Sequence, residues 1–172
     1  MENQLIETTN TDVAVITADE LLKHWQGHRK LSRKVLDAFP ENDLFGFSIG
    51  GMRTYAGLAK EMIGLASGGI NGVVTGDWST KPELDYFNPT ADIKSKAELL
   101  AAWDEVTEQL DTLWSQIPAD HFTDTVKAFG QFDNTVIGTI LYFIDNEIHH
   151  RGQGTVYLRA LGIEPPAFWD RW

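Results

Sequence analysis

The run from Asp145 to Gln153 brings two acids, two amides, two imidazoles and a guanidinium close together in the chain. At helical spacing Phe143, Asn146, His150, Gln153 and Tyr157 share one face, each three or four residues from the next. A polar trio between two aromatics on a core-facing stripe needs partners, and a bound metal or ligand would supply one. The alternative at this point is that Asp145, Glu147, His149 and Arg151 form a solvated face while His150 merely hydrogen-bonds inside. Glu147 and His150 also make a Glu-x-x-His pair of the kind used in di-iron bundles. Such a site needs two of these motifs plus two further glutamates, and a single copy is present. His24 and His28 lie four apart in "HWQGH", with His28 expected at the core edge and His24 exposed.

Composition narrows the chemistry. The chain has no cysteine, so any metal is held by nitrogen and oxygen. The formal net charge is −11, which opposes binding to phosphate backbones and anionic lipid. The one basic cluster, His28-Arg29-Lys30 with Arg33-Lys34, lies on a single predicted helix. No nucleic-acid partner is expected. The start of the chain lacks the basic and apolar regions of a signal peptide, and no apolar run approaches the length of a membrane span. A soluble, cytoplasmic protein is expected. No nucleophile elbow, phosphate loop or dinucleotide fingerprint occurs. "SIGG" and "ASGGING" read as helix ends.

The elements that must position these residues read as helices. After an N-terminal arm over 1–16, Thr17 and Glu20 form a capping box. Leu21, Trp25, His28, Ser32, Val35 and Phe39 then run along one stripe, and Pro40 stops a helix over 18–39. A second helix is predicted over 52–67, with Met52, Tyr55, Ala59, Met62, Ile63 and Ala66 on one face and Gly68-Gly69 ending it. Residues 71–94 read as a long loop, and loops of that length are commonly functional. Ser95 and Glu98 make a second capping box, opening a helix over 96–117 whose seam is Leu99, Trp103, Val106, Leu110, Leu113 and Ile117. A connector leads to a last helix over 135–161, stopped by Gly162 and Pro165-Pro166. This helix tolerates Gly138, Gly152 and Gly154, which points to close packing or a bound group. Only Val13–Ile16 hints at a strand. The expected fold is an all-α four-helix bundle, one domain over 1–172, with a long loop between helices two and three.

"HHRGQ" followed by "LRALGIEPP" resembles the C-terminal helix of the DinB/YfiT-like family of four-helix-bundle metalloproteins. The resemblance covers nearly the whole chain, taking in the tryptophan-containing first helix, the "RTYAGLAKE" second helix and the closing proline pair. It implies a divalent metal held by three histidines, one from the second helix and a His-x-x-x-His pair from the fourth. Carried across, the last ligand falls on His150, the earlier one on Asn146 and the second-helix ligand on Glu61. The chain departs from the triad at two of three positions. A Glu/Asn/His set is harder than three histidines, which favours manganese, iron or magnesium while zinc or nickel stays compatible.

By the same resemblance, His149, Glu147, Arg151, Gln153 and Tyr157 are candidates to support the ligands or bind substrate. Asn146, His150 and Gln153 are expected to point toward Glu61, with Asp145 and Arg151 facing water or an interface. The implied activity is a metal-dependent transfer using a small thiol, with Arg151, Gln153 or the loop carrying Trp78 holding an anionic substrate. The alternative is a non-catalytic stress-response or ligand-binding bundle with a degenerate metal site. A homodimer is the expected assembly.

Overall fold

The computed structural model describes residues 15–82 and 93–172. Four long helices close around one core: α1 (Ala18–Ala38), α3 (Tyr55–Thr75), α4 (Lys96–Trp114) and α5 (Val136–Ala160). A short α2 (Glu41–Gly46) sits between α1 and α3, and a 3₁₀ turn (Ala119–Thr123) precedes a hairpin of β1 (Thr125–Ala128) and β2 (Phe132–Thr135). Helix α3 packs on α4 and α5, and α1 packs on the same two, so α1 and α3 stand on a diagonal. Trp25, Trp103, Leu110 and Phe143 are buried, as the apolar stripes require. No helix among the described residues is long and apolar enough to cross a membrane.

The helix starts follow the local chemistry. Thr17 and Ser95 each accept from the backbone three residues on, and Glu20 and Glu98 reach back, completing both capping boxes. The whole predicted stripe of α1 is buried, including His28 and Ser32, and His24 is exposed.

Three expectations change. The second helix does not span 52–67. It starts at Tyr55, capped by Thr54, and runs through Gly68-Gly69 to Thr75, where Gly76 closes it in the left-handed region. The glycines continue the helix because their faces are packed: a Cβ on Gly69 would run into the Phe143 ring, and one on Gly72 into Trp78. Tertiary contact overrides the helix-breaking propensity. Met52 therefore lies outside the helix and is partly exposed. The supposed loop over 71–94 begins only after Thr75, and residues 83–92 lie outside the described part, as do Val13 and Ala14 of the Val13–Ile16 strand, whose Val15 and Ile16 form a bend.

The connector before α5 is also a hairpin rather than coil, pairing Thr125 with Thr135 and Ala128 with Phe132. Its tip holds Phe129 at φ 52°, a left-handed conformation uncommon for a bulky residue. That conformation turns the Phe129 ring inward, 5.5 Å from Trp78 and 6.2 Å from Phe143.

Candidate functional site

The α3–α5 contact brings the three expected ligand positions together. Glu61 projects from α3, Asn146 and His150 from α5. Asn146 Nδ2 donates to Glu61 Oε1 at 3.0 Å, and His150 Nε2 donates to the same oxygen at 3.0 Å. The other ring nitrogen, His150 Nδ1, donates to Gln153 Oε1 at 2.7 Å. Both ring nitrogens face oxygens, an arrangement that favours the imidazolium. Burial works against that charge, but the hydrogen bonds to Glu61 and Gln153 outweigh it and leave the pKa raised. The hydrogen bond from His150 is also the largest influence on Glu61. Burial opposes it, Asn146 and Arg53 reinforce it, and the carboxyl falls to about 2.

Sequence reasoning missed one participant. The Arg53 guanidinium lies 2.5 Å from Glu61 Oε2, and the Arg53 backbone carbonyl accepts from Tyr157 Oη at 2.8 Å. Gln153 Nε2 reaches the Met52 sulfur at 3.7 Å. Gln153 and Tyr157 thus tie the segment before α3 to α5 and hold Arg53 over Glu61. Arg53 falls between Met52 and Tyr55 of the second helix's predicted apolar pattern, inside "RTYAGLAKE", where an arginine passes for a surface residue.

A divalent cation fits this donor set poorly. Both Glu61 oxygens are engaged, and His150 Nε2, the nitrogen that would ligate, is directed at Glu61 itself. The guanidinium beside Glu61 does not deprotonate, so an entering cation would meet a fixed positive charge. Among the described residues no group of three or more His, Asp or Glu is placed to hold a metal ion. One feature runs the other way: Asn146 Oδ1 is buried without a hydrogen-bond partner.

The remaining candidates separate. His149 is exposed, its ring edge-on to His150 at 5.0 Å. Arg151 does not face water or an interface; it is 4% exposed, and Glu147 is 2% exposed. Both turn toward α1, away from Glu61. Asp145 is exposed, as expected. Glu147 Oε1 accepts from Ser32 Oγ at 2.8 Å, and Arg151 donates to Ser32 Oγ at 3.2 Å and to the His28 carbonyl at 3.3 Å. Arg29, read from sequence as part of a basic surface cluster, is fully buried. It lies 3.5 Å from Glu147, donates to Thr107 and to the Trp103 carbonyl, and stacks 4.2 Å from the Trp103 ring. Burial pushes the Glu147 carboxyl up, and the nearby guanidinium of Arg29 opposes it.

Beside Glu61 opens a cavity of about 790 Å³, walled by Trp78, Phe129, Phe132, Tyr142 and Phe143. That volume lies in the usual range for small-molecule sites, as does an aromatic wall with few polar groups.

The profile of the DinB family matches residues 7–172. A crystal structure of a DinB-like protein from Bacillus cereus ATCC 10987 superposes with a TM-score of 0.71 at 19% identity, covering 87% of this chain and 95% of that one. At that identity the likeness is one of fold. No curated protein matches the chain.

Proposed function

The chain belongs to the DinB family, and on that footing we propose that it is a member in which a fixed arginine has taken over the charge of the metal, leaving a small-molecule binding bundle. The observation that carries this reading is the Arg53 guanidinium 2.5 Å from the carboxylate that would ligate the cation. The cavity next to Glu61 supplies the binding volume. Cytoplasmic residence, a stress-response role and a homodimer belong to the same proposal. The exposed Phe168, Trp169 and Trp172 are consistent with a surface that a second copy would cover, and light scattering well above 19.3 kDa would support it.

The test is metal content of tag-free protein, with melting followed in chelator and in added manganese, iron, zinc or nickel. The expected result is metal far below one per chain and a melting temperature indifferent to all of them. The second reading is a divalent-metal transferase using a small thiol, with Glu61, Asn146 and His150 as ligands. The unpartnered Asn146 Oδ1 favours it. Stoichiometric metal in wild type, lost in Glu61→Ala and His150→Ala and less affected in His149→Ala, would establish that reading instead.

A further inference from the structure

The aromatic cavity has a sign. Among the described residues its wall presents two carboxylates, Glu61, which Arg53 and His150 already engage, and Asp133, with no lysine or arginine lining it. The cations that engage Glu61, Arg53 and His150, do not line it. Asp133 stands at the hairpin edge and forms no ion pair among the described residues. Lys127, opposite it in the hairpin register, is not within pairing distance. Phe132 and Tyr142 are 64% and 59% exposed, so the mouth offers two ring faces beside the Asp133 carboxylate. Large apolar groups left open to water beside a cavity mark a recognition surface.

The interior is built rather than incidental. Trp78 lies on the face of α3 that Gly72 leaves open, and Thr80 and Phe129 fill the space at Gly68. The strained Phe129 backbone contributes a ring to the wall, the kind of local cost that surrounding structure sustains at a site. A carboxylate beside aromatic faces attracts a cation twice, through its charge and through the ring quadrupoles. The chain's net charge of −11 adds long-range attraction for the same sign.

We propose that this cavity binds a hydrophobic organic cation, an amine carried on an aromatic or alkyl body, with the body against the wall that Trp78, Phe129 and Phe143 form and the ammonium at Asp133. This rests on the metal-free binding reading and names the ligand class of that site.

Three probes of one shape and different charge test it: 1-naphthylmethylammonium, 1-naphthalenemethanol and 1-naphthaleneacetate, each titrated calorimetrically into the intact chain. The ammonium is expected to bind at least about tenfold tighter than the alcohol, and the carboxylate weakest. Asp133→Asn, a change at an exposed position, should bring the ammonium and alcohol to within a few-fold. Trp78→Ala should weaken both. Equal binding of ammonium and alcohol in wild type overturns the cationic class while leaving a neutral binding cavity. Tightest binding by the carboxylate, or an unchanged preference in Asp133→Asn, overturns it as well. Binding of none of the probes overturns the proposal too. The metal-free reading is judged separately, by metal content, so the two failures are distinguishable.

Discussion

Helix α5 carries two ionic clusters on adjacent faces, and they are solved in opposite ways. Toward α1, Arg29, Glu147 and Arg151 are sealed, with side chains of the first two 0% and 2% exposed. Toward α3, Glu61 and Arg53 keep 17% and 39% of their side-chain surface open. In the sealed cluster every charge is locked by donors and acceptors from α1, α4 and α5, so it fixes how those helices meet. In the open cluster Glu61 borders a cavity, and Arg53 beside it stays partly open to water. Consecutive residues on a helix point about 100° apart, which is how Asn146 and Glu147, or His150 and Arg151, serve different purposes side by side.

The comparison breaks most visibly at Glu147. Glu147→Ala would leave two buried guanidiniums without their carboxylate, and breaking a buried pair by removing one partner costs about 3–5 kcal/mol. Denaturant unfolding should show that loss, or the variant should fail to accumulate as folded protein. Glu61→Gln removes a charge of the same kind at the half-open site, where water can solvate what remains. Its cost should stay near 1 kcal/mol, in the range of one hydrogen bond. Equal costs for the two variants would mean the clusters do not differ as described.

A second experiment moves the open site toward the triad its family resemblance implies, with Glu61 kept in place of the second-helix histidine. Arg53→Ala with Asn146→His removes the fixed cation and completes a His-x-x-x-His pair facing Glu61. This double variant should take up one zinc or nickel per chain where the wild type takes none. At a metal concentration about 100 times Kd the binding should add about 2.7 kcal/mol to stability. Uptake unchanged from wild type would show that Arg53 is not what keeps the cation out.

Much of this was legible in the residues. The capping boxes at Thr17 and Ser95 and the stripes of α1 and α4 follow from short-range rules. The convergence of Glu61, Asn146 and His150 was reached through the family resemblance and the 3–4 spacing on α5. The sealed cluster was missed because charged residues are rarely buried unpaired. A signal was nevertheless present: Ile140, Ile144, Glu147, Arg151, Gly154 and Leu158 keep bundle-seam spacing, so the two charges stand at core positions. The hairpin was invisible because strands as short as Thr125–Ala128 and Phe132–Thr135 show no alternation. The run of α3 through its glycines depends on Phe143 and Trp78 from elsewhere in the chain, which periodicity does not reveal.

Acid should distinguish the clusters next. Burial, followed by the positive charges of Arg151, His24 and Arg171, lowers the His28 pKa from 6.5 to about 3. Arg171 Nη1 approaches His28 Nε2 at 3.3 Å and can only donate, so Nε2 accepts and the proton sits on Nδ1, which is buried without a partner. Between about 3 and 6.5 the unfolded chain therefore binds more protons than the folded one, and stability falls as pH drops through that window. Melting temperature against pH should decline from about 6.5 downward, and His28→Gln should flatten the upper part of that decline. Burial raises the Glu147 carboxyl and works in the opposite direction as pH falls, so the difference between the two profiles is the test. Identical profiles for wild type and His28→Gln would contradict the neutral, buried His28.

The smallest expected effect separates two glycines two residues apart. A Cβ on Gly154 would strike the Tyr55 ring, whereas one on Gly152 would meet nothing within 4 Å. Gly154→Ala should overpack the α3–α5 contact and cost about 1–3 kcal/mol. Gly152→Ala gains helix propensity without a clash and should stabilise the chain by about 0.5–1 kcal/mol. The close packing expected of the α5 glycines therefore holds at Gly154 and fails at Gly152, whose presence nothing among the described residues explains. The surface around Gly152 includes Ile148 and Val156, both exposed, and a second copy of the chain would cover it if the homodimer forms there. In that case Gly152→Ala should weaken self-association in sedimentation equilibrium while leaving the monomer's unfolding free energy raised. Stabilisation with unchanged association would place the subunit contact, if there is one, on another face, with the exposed Trp169 and Trp172 as the next surface to vary.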